Sequence, residues 1–109
     1  MKSISLEQKY AVLHCVFQVV YATFGNVDEE RDEEIIDSAL TALGFSSIYA
    51  WDKAAALNAH DCFLHVSQID VEYKKTVHDF LHSLPAMSSQ PQVCKQCVDA
   101  IVLLCNLNT

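Results

Sequence analysis

Residues 10–24, with the sequence YAVLHCVFQVVYATF, form the stretch that decides the fold. Only His14, Gln18 and Thr23 in it are clearly polar, and the first two lie four residues apart, on one line of a helix. A helix that is apolar on nearly every other side must be covered by other helices. The stretch therefore predicts a buried central helix, from about Leu6 to Phe24, in an all-α fold.

The composition favours a single all-α domain over residues 1–109. Hydrophobic residues make up 51% of the chain, which is enough for a self-sufficient core at this length. The chain has only two glycines and two prolines, fewer than the turns of a sheet-rich protein require. We therefore predict a compact bundle of five to six helices around the buried first helix.

Local signals predict where the helices begin and end. Ser5 and Gln8 have the spacing of a capping box at the start of the first helix, and Gly44 has the position of a glycine after the second. The second helix is predicted over 29–43 and the third from Ser46 or Ser47 through 57. The fourth is predicted over 59–66 with Asn58 as its cap, and the fifth follows it and ends before Pro85. The last helix is predicted from Ser89 to about Asn106, with Leu104 facing inward. The sequence leaves open whether the fourth and fifth helices are continuous.

Charge and cysteine content limit the partners and the compartment. The net charge is −7 with histidine neutral, whereas nucleic-acid binding needs clustered Lys and Arg, so no nucleic-acid partner is expected. The apolar run is shorter than the ~20 residues of a transmembrane helix, so no membrane span is predicted. Five cysteines without framework spacing, and no secretory signal, indicate a reducing cytoplasm. The expected partner is another protein, and a homodimer is left open.

Acidic residues are concentrated in one run, from Asp28 to Asp37. Carboxylate oxygens are ligands for Ca²⁺ or Mg²⁺, but the run has no EF-hand spacing. The alternative is a solvated helix face whose acids suit the positive end of the helix dipole. We favour the solvated face.

Two further sets of side chains have metal-ligand chemistry. Cys94 and Cys97 form a lone CxxC on the apolar face of a predicted helix, where small buried thiols are favoured over a metal or redox site. The second set consists of His60, Cys62, His65, His78 and His82. Its last two members lie four residues apart, so both can reach one ion. Nothing in the sequence brings the other three residues to His78 and His82. We therefore favour a polar side of a helix over a metal site.

The adjacent pair His60 and Asp61 gives an enzymatic alternative. Such a pair, with a further His and Asp, is the metal site of the all-helical HD-type phosphohydrolases, and here His14 and Asp99 would complete it. The following residues 62–64, Cys-Phe-Leu, lack the Gly-Lys expected in that family. A metal-dependent HD-like phosphohydrolase is therefore the alternative to a non-enzymatic protein.

Residues 22–30, ATFGNVDEE, join a hydrophobic helix to an amphipathic one that ends in ALGF at 42–45. This arrangement resembles a TerB-like (tellurite-resistance-type) domain, in which the first helix ends in an Ala-Asp-Gly-x-Val/Ile-Asp-x-x-Glu motif. Phe24 stands at the motif aspartate and Arg31 at the motif glutamate, and the second acidic motif expected in 85–92 is missing. The resemblance covers about residues 10–84.

The resemblance implies an all-α fold and an association with tellurite or stress responses. It also implies metal binding through the motif acids, and the carried-over candidates are Asp28, Glu30 and Asp32. No cofactor is expected beyond weakly bound Ca²⁺ or Mg²⁺. We predict a non-enzymatic cytoplasmic interaction module. An exposed helix face, the acidic one, would bind a basic protein partner.

Overall fold

The computed structural model describes residues 4–23 and 29–108, with the backbone alone for 29–32. The helices are α1 (Leu6–Ala22), α2 (Glu29–Leu43), α3 (Tyr49–Ala55), α4 (Ala59–Ser67), α5 (Val71–Ser83) and α6 (Pro91–Leu104), with a 3₁₀ turn at Leu84–Met87. No strand occurs within these ranges, and the predicted all-α bundle is confirmed. None of the described helices is long and apolar enough to cross a membrane.

Helix α1 is the centre of the bundle. It contacts α2, α3, α4 and α6, and Val12, Leu13 and Val16 on it are wholly buried. The helix ends at Ala22, two residues earlier than predicted. Thr23 closes it, because its hydroxyl and its backbone N–H both donate to the carbonyl oxygen of Val20, at 2.8 and 3.1 Å.

Side-chain caps start two of the helices as predicted. The backbone N–H of Gln8 donates to Ser5 Oγ at 3.1 Å, and the N–H of Ser5 donates to Gln8 Oε1 at the same distance, 3.1 Å. The N–H of Asp61 donates to Asn58 Oδ1 at 3.0 Å at the start of α4. These bonds occupy backbone groups that have no partner within the first turn of a helix.

Helices α2 and α6 end in the same way, with one residue in the left-handed conformation. Gly44 has φ +80° and Asn106 has φ +54°. The next residue then donates back into the helix, from Phe45 N to the Leu40 oxygen at 2.9 Å and from Leu107 N to the Val102 oxygen at 3.0 Å. In both cases this next residue is hydrophobic and packs into or against the core, as in a Schellman motif.

Several predicted boundaries and faces were wrong. Helix α3 begins at Tyr49, because Ser47 Oγ accepts the Tyr49 N–H in a turn, at 3.2 Å, and does not cap a helix. Helix α6 begins at Pro91 without a side-chain cap, so Ser89 does not open it. Leu104 was predicted inward but is 63% exposed. It lies on the same edge of α6 as half-buried Cys97, seven residues earlier.

Helices α4 and α5 are separate. The chain leaves the helix at Gln68 and resumes at Asp70, with Ile69 buried between them. Lys74 on α5 is buried although it is charged, and its Nζ donates to the backbone oxygen of Asn106 at 3.2 Å. The amine thereby joins the first turns of α5 to the residues that follow α6.

Candidate functional site

A groove of about 530 Å³ lies between the first turns of α1, the end of α3 and the first turns of α4. We call it the α1–α4 groove. Its size falls within the range of sites that bind small ligands or the side chains of a peptide. The capping box of α1 and the Asn58 cap of α4 hold its two sides, because they fix the first turns from which most of its lining residues project.

The floor and walls of the groove are apolar. Ala11 and Cys62 are buried and form part of the floor. Leu6 and Leu57 line the same groove and are 63% and 39% exposed. Both leucines leave apolar surface in contact with water. A bound apolar group would cover this surface and gain the free energy of its burial.

Charged side chains surround this apolar lining. Glu7 Oε1 lies 3.0 Å from His65 Nε2, which joins α1 to α4 across the groove. Lys53 Nζ lies 4.6 Å from the centre of the Tyr10 ring, a cation–π distance. Asp61 is exposed in the first turn of α4. The pair of Glu7 and His65 is largely exposed and contributes little to folding stability, so both side chains can exchange partners at small cost.

The groove contains one thiol, Cys62, which is buried. Burial, then the neighbouring Asp61 carboxylate, then the Cys105 sulfur raise the pKa of Cys62. A thiol with a raised pKa is protonated at neutral pH and is a poor nucleophile and a poor metal ligand. Cys62 therefore serves as an apolar part of the floor and gives the groove no catalytic group.

His14, proposed as part of an HD-type site, is sealed inside the core at 2% exposure. Its Nε2 lies 3.0 Å from the amide nitrogen of Gln18, which can only donate, so Nε2 accepts. Its Nδ1 then carries the hydrogen and donates to the backbone oxygen of Ala54 at 2.8 Å. Both ring nitrogens are used within the fold.

The other members of that set lie elsewhere. His60 and Asp61 occupy the first turn of α4, and Asp99 on α6 accepts from Lys95 at 3.0 Å. Within residues 4–23 and 33–108, no three His, Cys, Asp or Glu side chains are placed to hold a metal ion. The structure therefore does not bring the proposed phosphohydrolase residues together there.

The second predicted metal set divides into two places. His65 lines the α1–α4 groove beside Glu7, whereas His78 and His82 lie side by side on α5 with ring centres 4.3 Å apart. The CxxC is part of the apolar face, as favoured from the sequence. Cys94 is buried, and Cys97 is half-buried with its Sγ 3.8 Å from the backbone oxygen of Gln18. Burial raises the pKa of Cys97.

The acids carried over from the TerB-like motif cannot be placed at a site. Asp28 lies outside the described residues, and so do the side chains of Glu30 and Asp32. Metal binding by these three acids stays a prediction. The acids of the same run that are described, Glu33, Glu34 and Asp37, are exposed along α2. Their exposure agrees with the solvated helix face.

Sequence reasoning did not find the groove, because no single segment contains it. Leu6 begins α1, whereas Leu57 lies in the connection between α3 and α4, so the two have no shared period. The available signals were the two caps, Ser5 and Asn58, each followed within a turn by an acid, Glu7 and Asp61. Only the packing of α4 against α1 shows that the two first turns face one cavity.

Comparisons of the chain with family models, with curated proteins and with solved structures return no match. The TerB-like resemblance therefore rests on residues 22–30 and on the two helices that flank them.

Proposed function

We propose that the protein is a non-enzymatic interaction module whose α1–α4 groove binds a basic amphipathic helix of a partner protein. The observation that carries the proposal is one cavity lined by two exposed leucines, Leu6 and Leu57, with the carboxylates of Glu7 and Asp61 beside them. An apolar groove with charged edges is the usual receptor for a helix that presents apolar side chains at i and i+4.

The apolar part of the proposal follows from what is exposed. Covering Leu6 and Leu57 would remove apolar surface from water at roughly 25 cal/mol per Å². Two neighbouring apolar side chains of a partner helix would fill the cavity above Ala11 and Cys62. We expect these anchors to supply most of the affinity, since a few buried apolar contacts dominate small interfaces.

The expected charge of the partner follows from the charged residues that line the groove and from the net charge of the chain. Lys53, the lysine that lines the groove, is already placed over the Tyr10 ring. Glu7, whose exposed pair with His65 can exchange partners, and exposed Asp61 are the two carboxylates at the groove, within a chain of net charge −7. A helix with Lys or Arg beside its apolar stripe is complementary to this arrangement and would be steered toward it at low salt.

The cellular context is part of the same proposal. All five cysteines are free, which supports a reducing compartment such as the cytoplasm. The TerB-like motif resemblance adds an association with tellurite or other stress responses. A second copy of this chain is the competing occupant, and sedimentation at rising concentration distinguishes it from a basic helix.

A fluorescence titration tests the proposal. A labelled amphipathic Leu/Lys helix is titrated with the wild type, with Leu57→Asp and with the double variant Glu7→Lys, Asp61→Lys. Leu57→Asp should weaken binding about tenfold or more, because it puts a charge against the anchors. The double variant should weaken binding and reduce its salt dependence. Leu103→Asp and Glu72→Lys, on exposed positions outside the groove, are the matched controls.

Three results would contradict the groove proposal. They are equal binding of a Leu/Glu helix, equal loss in the control variants, and unchanged affinity of Leu57→Asp. Melting with and without Ca²⁺ or Mg²⁺ tests the separate metal prediction for Asp28, Glu30 and Asp32. An ion that binds the folded state raises the melting temperature further as its concentration exceeds its dissociation constant, so an unchanged melt removes that prediction.

A further inference from the structure

Two histidines stand together on α5, away from the α1–α4 groove. His78 and His82 are four residues apart, and their ring centres are separated by 4.3 Å. Their side chains are about one-third exposed, at 30% and 33%. The imidazoles are thus held side by side at the surface, where an ion from solution can reach them.

Carboxylates face the same ring atom of both histidines. Asp79 Oδ1 lies 3.1 Å from Nδ1 of His78, and Asp99 Oδ1 lies 4.0 Å from Nδ1 of His82. A carboxylate can only accept, so Nδ1 of His78 carries the hydrogen and Nε2 keeps its lone pair. The same preference acts more weakly on His82. A carboxylate on the far nitrogen is the usual support of a metal-bound histidine, which it orients and makes more basic.

We propose that the Nε2 atoms of His78 and His82 bind a divalent transition-metal ion of the kind that prefers nitrogen ligands, such as Ni²⁺, Cu²⁺ or Zn²⁺. Metal–imidazole bonds of about 2.0–2.1 Å need the two rings to be neighbours, as they are here. Side chains four residues apart on a helix provide that spacing without a change of backbone.

The site is open, with two protein ligands. No third His, Cys, Asp or Glu completes a set among the described side chains, so water fills the remaining positions. Lys75 lines a cavity with His78 and Asp79, and Lys95 pairs with Asp99 at 3.0 Å. The ammonium groups of both lysines repel a bound cation, and the carboxylates of Asp79 and Asp99 offset this repulsion. Hard ions such as Ca²⁺ and Mg²⁺, which need oxygen ligands, should not bind.

Calorimetric titration of the purified chain with NiCl₂ tests the site. Ni²⁺ is the main probe because Cu²⁺ oxidises free thiols. Wild type should bind one equivalent, and His78→Ala and His82→Ala should each weaken binding about tenfold or more, since each removes one of two ligands. His60→Ala, an exposed histidine on α4, is the matched control and should bind like wild type.

Two further readouts separate this site from thiols and from the groove. An electron paramagnetic resonance spectrum recorded soon after Cu²⁺ is added should show coupling of the copper to imidazole nitrogen. The affinities of the three ions should follow the order Ni²⁺ < Cu²⁺ > Zn²⁺. Leu57→Asp, which disables the proposed groove, should leave Ni²⁺ binding unchanged. The proposal fails if wild type takes up no Ni²⁺, or if the double variant His78→Ala, His82→Ala binds it as tightly as wild type.

Discussion

At the scale of single residues, His14 shows why a polar side chain occupies the most buried helix. The Ala54 oxygen lies in the last turn of α3, where it accepts from the backbone N–H of Leu57 at 3.1 Å and can accept one more hydrogen. The Nδ1–H of His14 reaches that oxygen across the interface of α1 and α3, and Gln18 occupies the other nitrogen. An apolar residue of the same size would fill the space but leave these groups without that bond.

Replacement of His14 by leucine should therefore destabilise the fold by about 1–3 kcal/mol, through the lost bonds of the Ala54 carbonyl and the Gln18 amide. At about 4–8 °C per kcal/mol for a chain of this size, the change is visible in a calorimetric melt. His60→Leu, at an exposed position, should stay within about 0.5 kcal/mol. Equal melting temperatures for His14→Leu and wild type would show that these bonds add nothing to stability.

At the scale of elements, the sequence predicts those helix starts and ends that depend on neighbouring residues alone. The caps at Ser5 and Asn58 and the ending at Gly44 depend on residues within one turn, and all three were predicted correctly. The start of α3 was not, because Ser47 bonds to Tyr49 in a turn and does not cap a helix. The exposure of Leu104 was not either, because it depends on how other helices pack against α6. The α1–α4 groove was missed for the same reason.

The ending of α2 gives a prediction about backbone conformation. A Cβ built on Gly44 meets no atom within 4 Å, so substitution there costs conformational energy without a clash. Gly44→Ala should destabilise by about 1–2 kcal/mol because the residue has φ +80°. Gly44→Asn should cost clearly less, since Asn106 already adopts this conformation at the end of α6. Chemical denaturation of the two variants is the measurement, and equal losses would contradict the explanation.

At the scale of the whole molecule, the thiols link the core to pH. Cys15 and Cys105 are wholly buried free thiols that share a hydrogen bond, and this bond together with burial raises the pKa of Cys15 well above its usual value, whereas the same bond lowers the pKa of Cys105. Burial also raises the pKa of Cys62 and of Cys97. Cys15, Cys62 and Cys97 favour the protonated form in the folded state and outnumber Cys105, which is shifted the other way, whereas the unfolded chain releases these protons near the ordinary thiol value of about 8.5.

Folded-state pKa values above the unfolded value stabilise the protein below about pH 8.5, and this contribution is lost as the pH rises toward the raised values. The melting temperature should therefore fall between pH 8 and pH 10. Cys97→Ala removes one such thiol, so its melting temperature should fall less than that of wild type over the same interval. Parallel pH curves for the two proteins would show that the thiols do not contribute.

The position of α1, covered by four other helices, has a consequence for how the molecule opens. Any local fluctuation that exposes its middle turns must displace several helices together, so partial opening there is as costly as complete unfolding. In deuterated solvent, the backbone amides of residues 12–19 should exchange last, at the rate set by global unfolding, while those in the exposed first turn of α6, which has no side-chain cap, should exchange early. The amides of the innermost helix thus report the stability of the entire native state.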